Sequence, residues 1–290
     1  MFLLTPGGRH DEWEPTPAEL VALDVDGTLI GLDGQVSHAV VAAIARARGA
    51  GLHLGLATGR MAAGVTDILE RTGLPGPHVF FNGAQVRRDG EVLASWPVDG
   101  EALDTLLAAF DDAGVYAEVY TGDGFHVNRM DERARPHWDL LGMDPLGVVA
   151  SADDVGEEVP KVTAVAFDTA EVERVVAIMQ DVGLRAGPAN SPATPGLHYV
   201  NGNHPDVDKG RALLAAAEVL GIDRAATVAI GDERNDLPLL EVAGTAIAMG
   251  NAAPEIRAMA HLVAPDVQQH GAAAALDAAS AAWRGVTGAE

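Results

Sequence analysis

The run Val21-Ala22-Leu23-Asp24-Val25-Asp26-Gly27-Thr28-Leu29 places two acids at the end of an apolar stretch, with a Gly-Thr turn directly behind them. This pattern predicts a buried strand that delivers carboxylates to its own C-terminal edge. Residues i and i+2 of a strand point to the same side, so Asp24 and Asp26 face one ligand together, and Gly27 lets the chain turn sharply. Two acids crowded at a buried edge repel each other, and their charge needs an offset. A divalent cation is the usual one, with one carboxylate ligating it and the other left to move protons. Taken alone, Asp-x-Asp-Gly is also an ordinary strand-ending turn.

Three further polar signatures follow in a compatible order. Leu52 to Leu56 is a second strand-like run, and it empties into Ala57-Thr58-Gly59-Arg60 ahead of a helical segment. A hydroxyl and free backbone N–H groups at a strand end suit a phosphate oxygen, although Thr58 also fits a simple helix N-cap. Asp208-Lys209-Gly210 opens a helical run, Arg211 to Leu220, closed by Gly221. A lysine at a helix start opposes the macrodipole, which points to a compensating anion or to a solvated surface position. Thr227 to Gly231 is a third apolar strand, ending in Asp232-Glu233-Arg234-Asn235-Asp236, with Pro238 placed for the first turn of a helix. Asp232, Asn235 and Asp236 are oxygen donors of the kind magnesium prefers.

Strands alternate with helices along this part of the chain: strand Val21 to Leu23, helix His38 to Arg48, strand Leu52 to Leu56, helix Ala62 to Thr72, strand His78 to Phe81. Such alternation implies an α/β fold with parallel, buried strands whose carboxyl ends share one edge. From about Gln85 the pattern changes. Val86 to Leu93 reads as a hairpin around an Asp-Gly turn. Helices Glu101 to Ala113 and Glu171 to Val182 sit beside strands Tyr116 to Tyr120 and Lys161 to Phe167, and Leu197 to Val200 reads as a closing strand. Asp168 with Glu171 suggests a capping box. The expected division is a core of residues 1–84 and 204–290, with 1–18 a flexible extension, and an inserted α+β domain of residues 85–203. Ala272 to Trp283 reads as a terminal helix.

With these motifs in place, the chain resembles the haloacid dehalogenase-like (HAD) hydrolase superfamily, and within it the Cof-type phosphatases with a large α/β cap (type IIB). Asp24 to Thr28 matches the first motif, Thr58 the second, Lys209 the third, and Gly231-Asp232 with Asn235-Asp236 the fourth. Phe81-Asn82-Gly83-Ala84 is similar to the family's Asn-Gly step where the chain leaves the core. The resemblance runs from about Glu19 to about Leu276. It implies a Rossmann-like parallel sheet with helices on both faces, plus the cap. It also implies roles: Asp24 the nucleophile that forms an aspartyl-phosphate, and Asp26 the general acid and base. Mg2+ would be held by Asp24, the backbone carbonyl of Asp26, and Asp232. Thr58, Gly59 and Lys209 would bind the phosphoryl group, Asn235 the phosphate or a metal-bound water, with Asp236 supporting Lys209 or the metal shell. A carboxylate nucleophile and an acid in different environments suit phosphoryl transfer.

Composition narrows the partners. The formal charge of −23 argues against nucleic acid and anionic membranes, whose phosphates would be repelled. With no cysteine, disulfides, thiolate metal sites and a cysteine nucleophile are excluded. No stretch reaches the roughly 18 apolar residues of a membrane helix, and Met1 to Leu4 is too short an apolar run for a signal peptide. The expectation is a cytoplasmic, magnesium-dependent phosphomonoesterase, monomeric or homodimeric, acting on small phosphorylated metabolites such as sugar phosphates. Alternatives are a phosphatase dedicated to one sucrose, trehalose or mannosyl phosphate, a non-catalytic phosphometabolite-binding protein, and a hydrolytic dehalogenase. Substrate contacts are sought in Arg129 to Trp138, which also reads as a solvated loop or helix face, and Arg60 either meets substrate or pairs with an acid.

Overall fold

In the computed structural model, residues 4–9, 13–122, 124–190 and 194–282 are described. In chain order, β1 spans Thr5–Pro6, β2 Leu20–Leu23, β3 His53–Leu56, β4 His78–Phe80, β5 Gln85–Arg88 and β6 Glu91–Ser95. Then come β7 (Ala117–Tyr120), β8 (Phe125–Val127), β9 (Lys161–Ala166), β10 (Arg185–Asn190) and β11 (His198–Asn203). β12 (Thr227–Gly231), β13 (Thr245–Ala248) and β14 (Leu262–Val263) follow. The chain divides into two compact units, Met1–Arg60 with Val65–Ala94 and Asp208–Glu290, and Met61–Gly64 with Ser95–Val207.

The first unit is built on a six-stranded sheet in the order β1-β14-β13-β12-β2-β3. From β14 to β3 every pairing is parallel. All four residues of β2 and all five of β12 are buried, as strands covered on both faces require. Burying a side chain such as Leu23 contributes about 2 kcal/mol. The helix His38–Gly49 starts at Ser37, whose hydroxyl accepts the Val40 N–H at 3.3 Å, and turns Val40, Ala43, Ile44 and Ala47 inward. That i, i+3, i+4, i+7 spacing makes one apolar face.

Several expectations change in this unit. The helix expected over Ala62 to Thr72 is regular only over Thr66–Thr72, because a tighter turn, Ala63–Val65, precedes it. β4 does not continue the parallel sheet; a single parallel bridge, Ala57 to Val79, marks its approach. It pairs antiparallel with β5 instead, since the turn after Phe80 reverses the chain at once. The hairpin at Asp89-Gly90 has φ of 52° and 84°, the left-handed pair that suits a two-residue connection. It joins β4 in a three-stranded sheet, so the chain leaves the first unit at Ser95 rather than Gln85 and returns at Asp208 rather than 204.

Residues 1–18, read from the sequence as a flexible extension, are built into the core where they are described. β1 pairs antiparallel with β14, and Trp13 is buried with its Nε1 donating to Thr245 Oγ1 at 3.0 Å. The terminal helix is Gly271–Ser280, and Trp283 lies outside the described residues.

The second unit carries an antiparallel sheet in the order β10-β11-β9-β7-β8. Helices Gly100–Ala113 and Thr169–Asp181 send Leu103, Leu106, Leu107, Phe110, Val175 and Met179 into a core shared with Ala117, Val119, Val162, Ala164 and Val200. The strand residues alternate, as one buried sheet face demands. The expected capping box is offset: Asp168 accepts the Ala170 N–H at 3.0 Å, while Glu171 accepts the Phe167 N–H at 3.2 Å, one residue before the cap.

Candidate active site

Asp24, Thr58 and Asp232 each sit where a parallel strand runs out. Asp24 follows β2, and its N–H extends the ladder by donating to Ile230 O at 2.9 Å. The chain then folds back on itself, with Leu29 and Ile30 N–H both donating to Val25 O at 3.0 Å. Gly27, at φ 85°, is required here: a Cβ would lie 2.1 Å from Asp232 Oδ2. Thr58 follows β3, its N–H donating to Val79 O at 2.9 Å and its hydroxyl accepting the Arg60 N–H at 3.1 Å. Asp232 follows β12.

Lys209 opens the helix Lys209–Leu220, capped by Asp208, whose Oδ1 accepts the Arg211 N–H at 2.9 Å. The compensating anions are two carboxylates. Lys209 Nζ lies 2.7 Å from Asp24 Oδ1 and 2.6 Å from Asp236 Oδ1, with all three residues buried. The other oxygen of Asp236 accepts the N–H groups of Asp232 and Glu233, each at 3.0 Å, so Asp236 fixes both the lysine and the start of its own turn. Carboxylate oxygens of Asp24, Asp232 and Asp236 all fall within 4.8 Å of one another.

One ammonium does not neutralise three buried carboxylates. Burial and then Asp236 raise the Asp24 carboxyl well above its ordinary range, with Lys209 pulling the other way. Burial and then Asp236 likewise push Asp232 up to about 7, against the Thr28 hydroxyl that donates to its Oδ1 at 3.0 Å. Burial also opposes the charge on Lys209, yet Asp236 and Asp24 outweigh it and hold the lysine above its usual value. The remaining negative charge, presented by hard oxygen donors, fits a divalent cation such as Mg2+.

Asp26 and Arg60 resolve the second acid and the open role of the arginine. Arg60 grips the Asp26 carboxylate through Nε at 2.9 Å and the NH2 group at 2.6 Å, a two-point pair at a more exposed position. Asn235, expected at the phosphate or at a metal-bound water, donates to Asn82 Oδ1 at 3.3 Å. Arg129 to Trp138 is engaged internally in the second unit. Arg129 donates to Gly114 O, Arg133 pairs with Asp131, and Arg135 pairs with Asp144. His137 Nδ1 lies 2.9 Å from the fully buried Glu118, and Trp138 Nε1 donates to Tyr116 OH at 2.8 Å.

Sequence reasoning passed over two residues of this site. Thr28 stood inside the first motif without a role. Asn251 carried no signal at all: its Nδ2 donates to Gly27 O at 2.9 Å and to Asp232 Oδ2 at 3.0 Å, and its Oδ1 accepts the Val267 N–H at 3.0 Å. It thereby ties two strand ends together beside the acids.

Residues 21–276 match the model of the haloacid dehalogenase-like hydrolases. The chain belongs to that family. Among haloacid dehalogenase-like relatives, it is 28% identical to the 5-amino-6-(5-phospho-D-ribitylamino)uracil phosphatase YwtE of Bacillus subtilis, over 89% of this chain and 96% of that one. It is 29% identical to the HMP-PP phosphatase of Cronobacter sakazakii, over 83% and 87% of the two chains. The solved structure of BT1666 from Bacteroides thetaiotaomicron superposes with a TM-score of 0.77 at 24% identity, covering 90% and 95% of the chains. That likeness is one of fold, a Rossmann-like core sheet with a cap.

Proposed function

We propose that this haloacid dehalogenase-like hydrolase is a magnesium-dependent phosphomonoesterase of small phosphorylated metabolites, sugar phosphates among them, working through an aspartyl-phosphate on Asp24. The observation that carries the reading is the buried Lys209–Asp24 pair at 2.7 Å beside Asp232 and Asp236. Two relatives named for phosphatase activity on small phosphorylated compounds support it.

Asp24 Oδ attacks phosphorus, and the ester P–O bond breaks. Asp26 gives its proton to the leaving oxygen, then takes one from the water that attacks the phosphorylated Asp24 and frees it as a carboxylate. For this Asp26 must turn out of its pair with Arg60. Lys209 holds the Asp24 carboxylate in place and, with Thr58, Gly59 and Asn235, neutralises or hydrogen-bonds the phosphoryl oxygens; Asp236 keeps Lys209 oriented. Asp24, Asp232 and the Asp26 carbonyl would hold Mg2+, which supplies positive charge to a loose, anionic transition state. The reading sets the enzyme in the cytoplasm; among the described residues no helix is long and apolar enough to cross a membrane. The test is phosphate release from a panel of phosphorylated metabolites with and without Mg2+, using Asp24→Asn as the blank. Metal-dependent release that vanishes in the variant is expected, and undiminished release from Asp24→Asn would refute the reading.

A further inference from the structure

Two successive non-glycine residues with positive φ, Phe81 at 53° and Asn82 at 58°, stand beside the phosphate-binding side of the site. Left-handed backbone at such residues persists only where the surroundings over-determine it. Here they do. The Phe81 N–H donates to Arg60 O at 3.1 Å and the Asn82 N–H to Thr58 O at 3.0 Å. Gly83, at φ 110°, approaches so closely that a Cβ would lie 2.2 Å from the carbonyl of Asp208, the residue that caps the Lys209 helix. The Asn82 carboxamide accepts from Asn235 Nδ2 at 3.3 Å and also lies across Gly59, where a Cβ would stand 2.7 Å from its Oδ1. One turn therefore braces the segments that carry Thr58 and Gly59, Lys209, and Asn235. Among the described residues, no hydrogen bond joins the Asn82 side chain to Asp24, Asp26 or Asp232.

We propose that Asn82 is a positioning residue for the phosphoryl group: its carboxamide locks Asn235 against the Thr58-Gly59 segment, making one cradle for the non-ester oxygens. The inference rests on the phosphatase reading and assigns the affinity for phosphate, as distinct from metal, to this side chain. Gly59 belongs to the same device, because any larger residue would displace the carboxamide.

Two variants separate this role from a structural one. Asn82→Gly keeps the left-handed backbone and removes the carboxamide, whereas Asn82→Asp keeps an acceptor for Asn235 and adds a charge that repels phosphate. Asn82→Gly is expected to raise KM, and the inhibition constant of inorganic phosphate, by about fivefold, with kcat changed less than about twofold. The Mg2+ activation constant should stay at the wild-type value. Asn82→Asp should weaken phosphate by about tenfold or more. Adding Asn235→Ala to Asn82→Gly should cost no more than the worse single change, as expected for one unit. Wild-type phosphate affinity in either variant, an additive double variant, or a loss confined to kcat and Mg2+ activation would overturn the assignment. Calorimetric titration with inorganic phosphate reads the same effect without turnover. If the wild type binds phosphate but hydrolyses no ester, the phosphatase reading falls while the Asn82 comparison still decides the inference. If it binds no phosphate, both fall.

Discussion

Lys209 is one cation among Asp24, Asp232 and Asp236, and the stability of the site depends on how that imbalance is met. Breaking a buried pair by removing one partner usually leaves an uncompensated charge. Asp24→Asn is different, because it removes one of the surplus acids and keeps an oxygen that accepts from Lys209. It should lower phosphate release at least about a thousandfold and raise the melting temperature measured in chelator. A lower melting temperature there would mean that the three acids are not in mutual excess. Asn251 acts at the same scale through a different contact. It holds Asp232 Oδ2 and the Gly27 carbonyl together, so Asn251→Ala should weaken Mg2+ activation about tenfold, the usual price of losing an outer-shell partner. The check is the Mg2+ dependence of phosphate release, with thermal melting as the control for folding.

Strand β4 shows how one element carries a pH dependence. His78 is buried, and its Nδ1 accepts the Leu56 N–H at 3.1 Å, which requires the neutral ring. Burial drives its pKa down to about 4 from an ordinary 6.5. The unfolded chain therefore takes up a proton before the folded one does, and stability falls as pH drops from 6.5 towards 4, by about 3 kcal/mol in total. His78→Gln, which keeps an acceptor and cannot titrate, should flatten that decline in denaturant unfolding at pH 7 and pH 4.5. An equally steep decline in the variant would move the cause elsewhere.

For the whole molecule, a charge of −23 works against compaction, and salt screens such repulsion. Two ions separate this general effect from the site. NaCl should raise the melting temperature modestly through screening. MgCl2 at matched ionic strength should raise it further, by the equivalent of about 2.7 kcal/mol at a hundredfold excess over its dissociation constant. Asp232→Asn should abolish only the Mg2+ increment. Equal effects of the two salts on the wild type would remove the case for a specific cation site.

Much of this was legible in the chain because it is written locally. Apolar runs ending at Asp24, Thr58 and Asp232 specify buried parallel strands, and parallel strands bring their carboxyl ends to one edge whatever their separation in sequence. The helices beginning at His38 and Lys209 follow from apolar periodicity that is likewise local, and the structure adds the caps Ser37 and Asp208. Tertiary structure decided whatever depends on a partner distant along the chain. Nothing near Asn251 says that it reaches Gly27, and nothing near Asn235 says that its amide meets Asn82. Arg60 was equally suited to substrate or to an acid until folding set it against Asp26. Thr5–Pro6 lie in a short stretch followed by Gly7-Gly8 with no strand signal, yet they become an edge strand because β14 leaves its outer hydrogen bonds open to them. The sequence alone determined which residue types stand at which strand ends; the fold alone decided their mates, since hydrogen bonds and ion pairs form by distance in space.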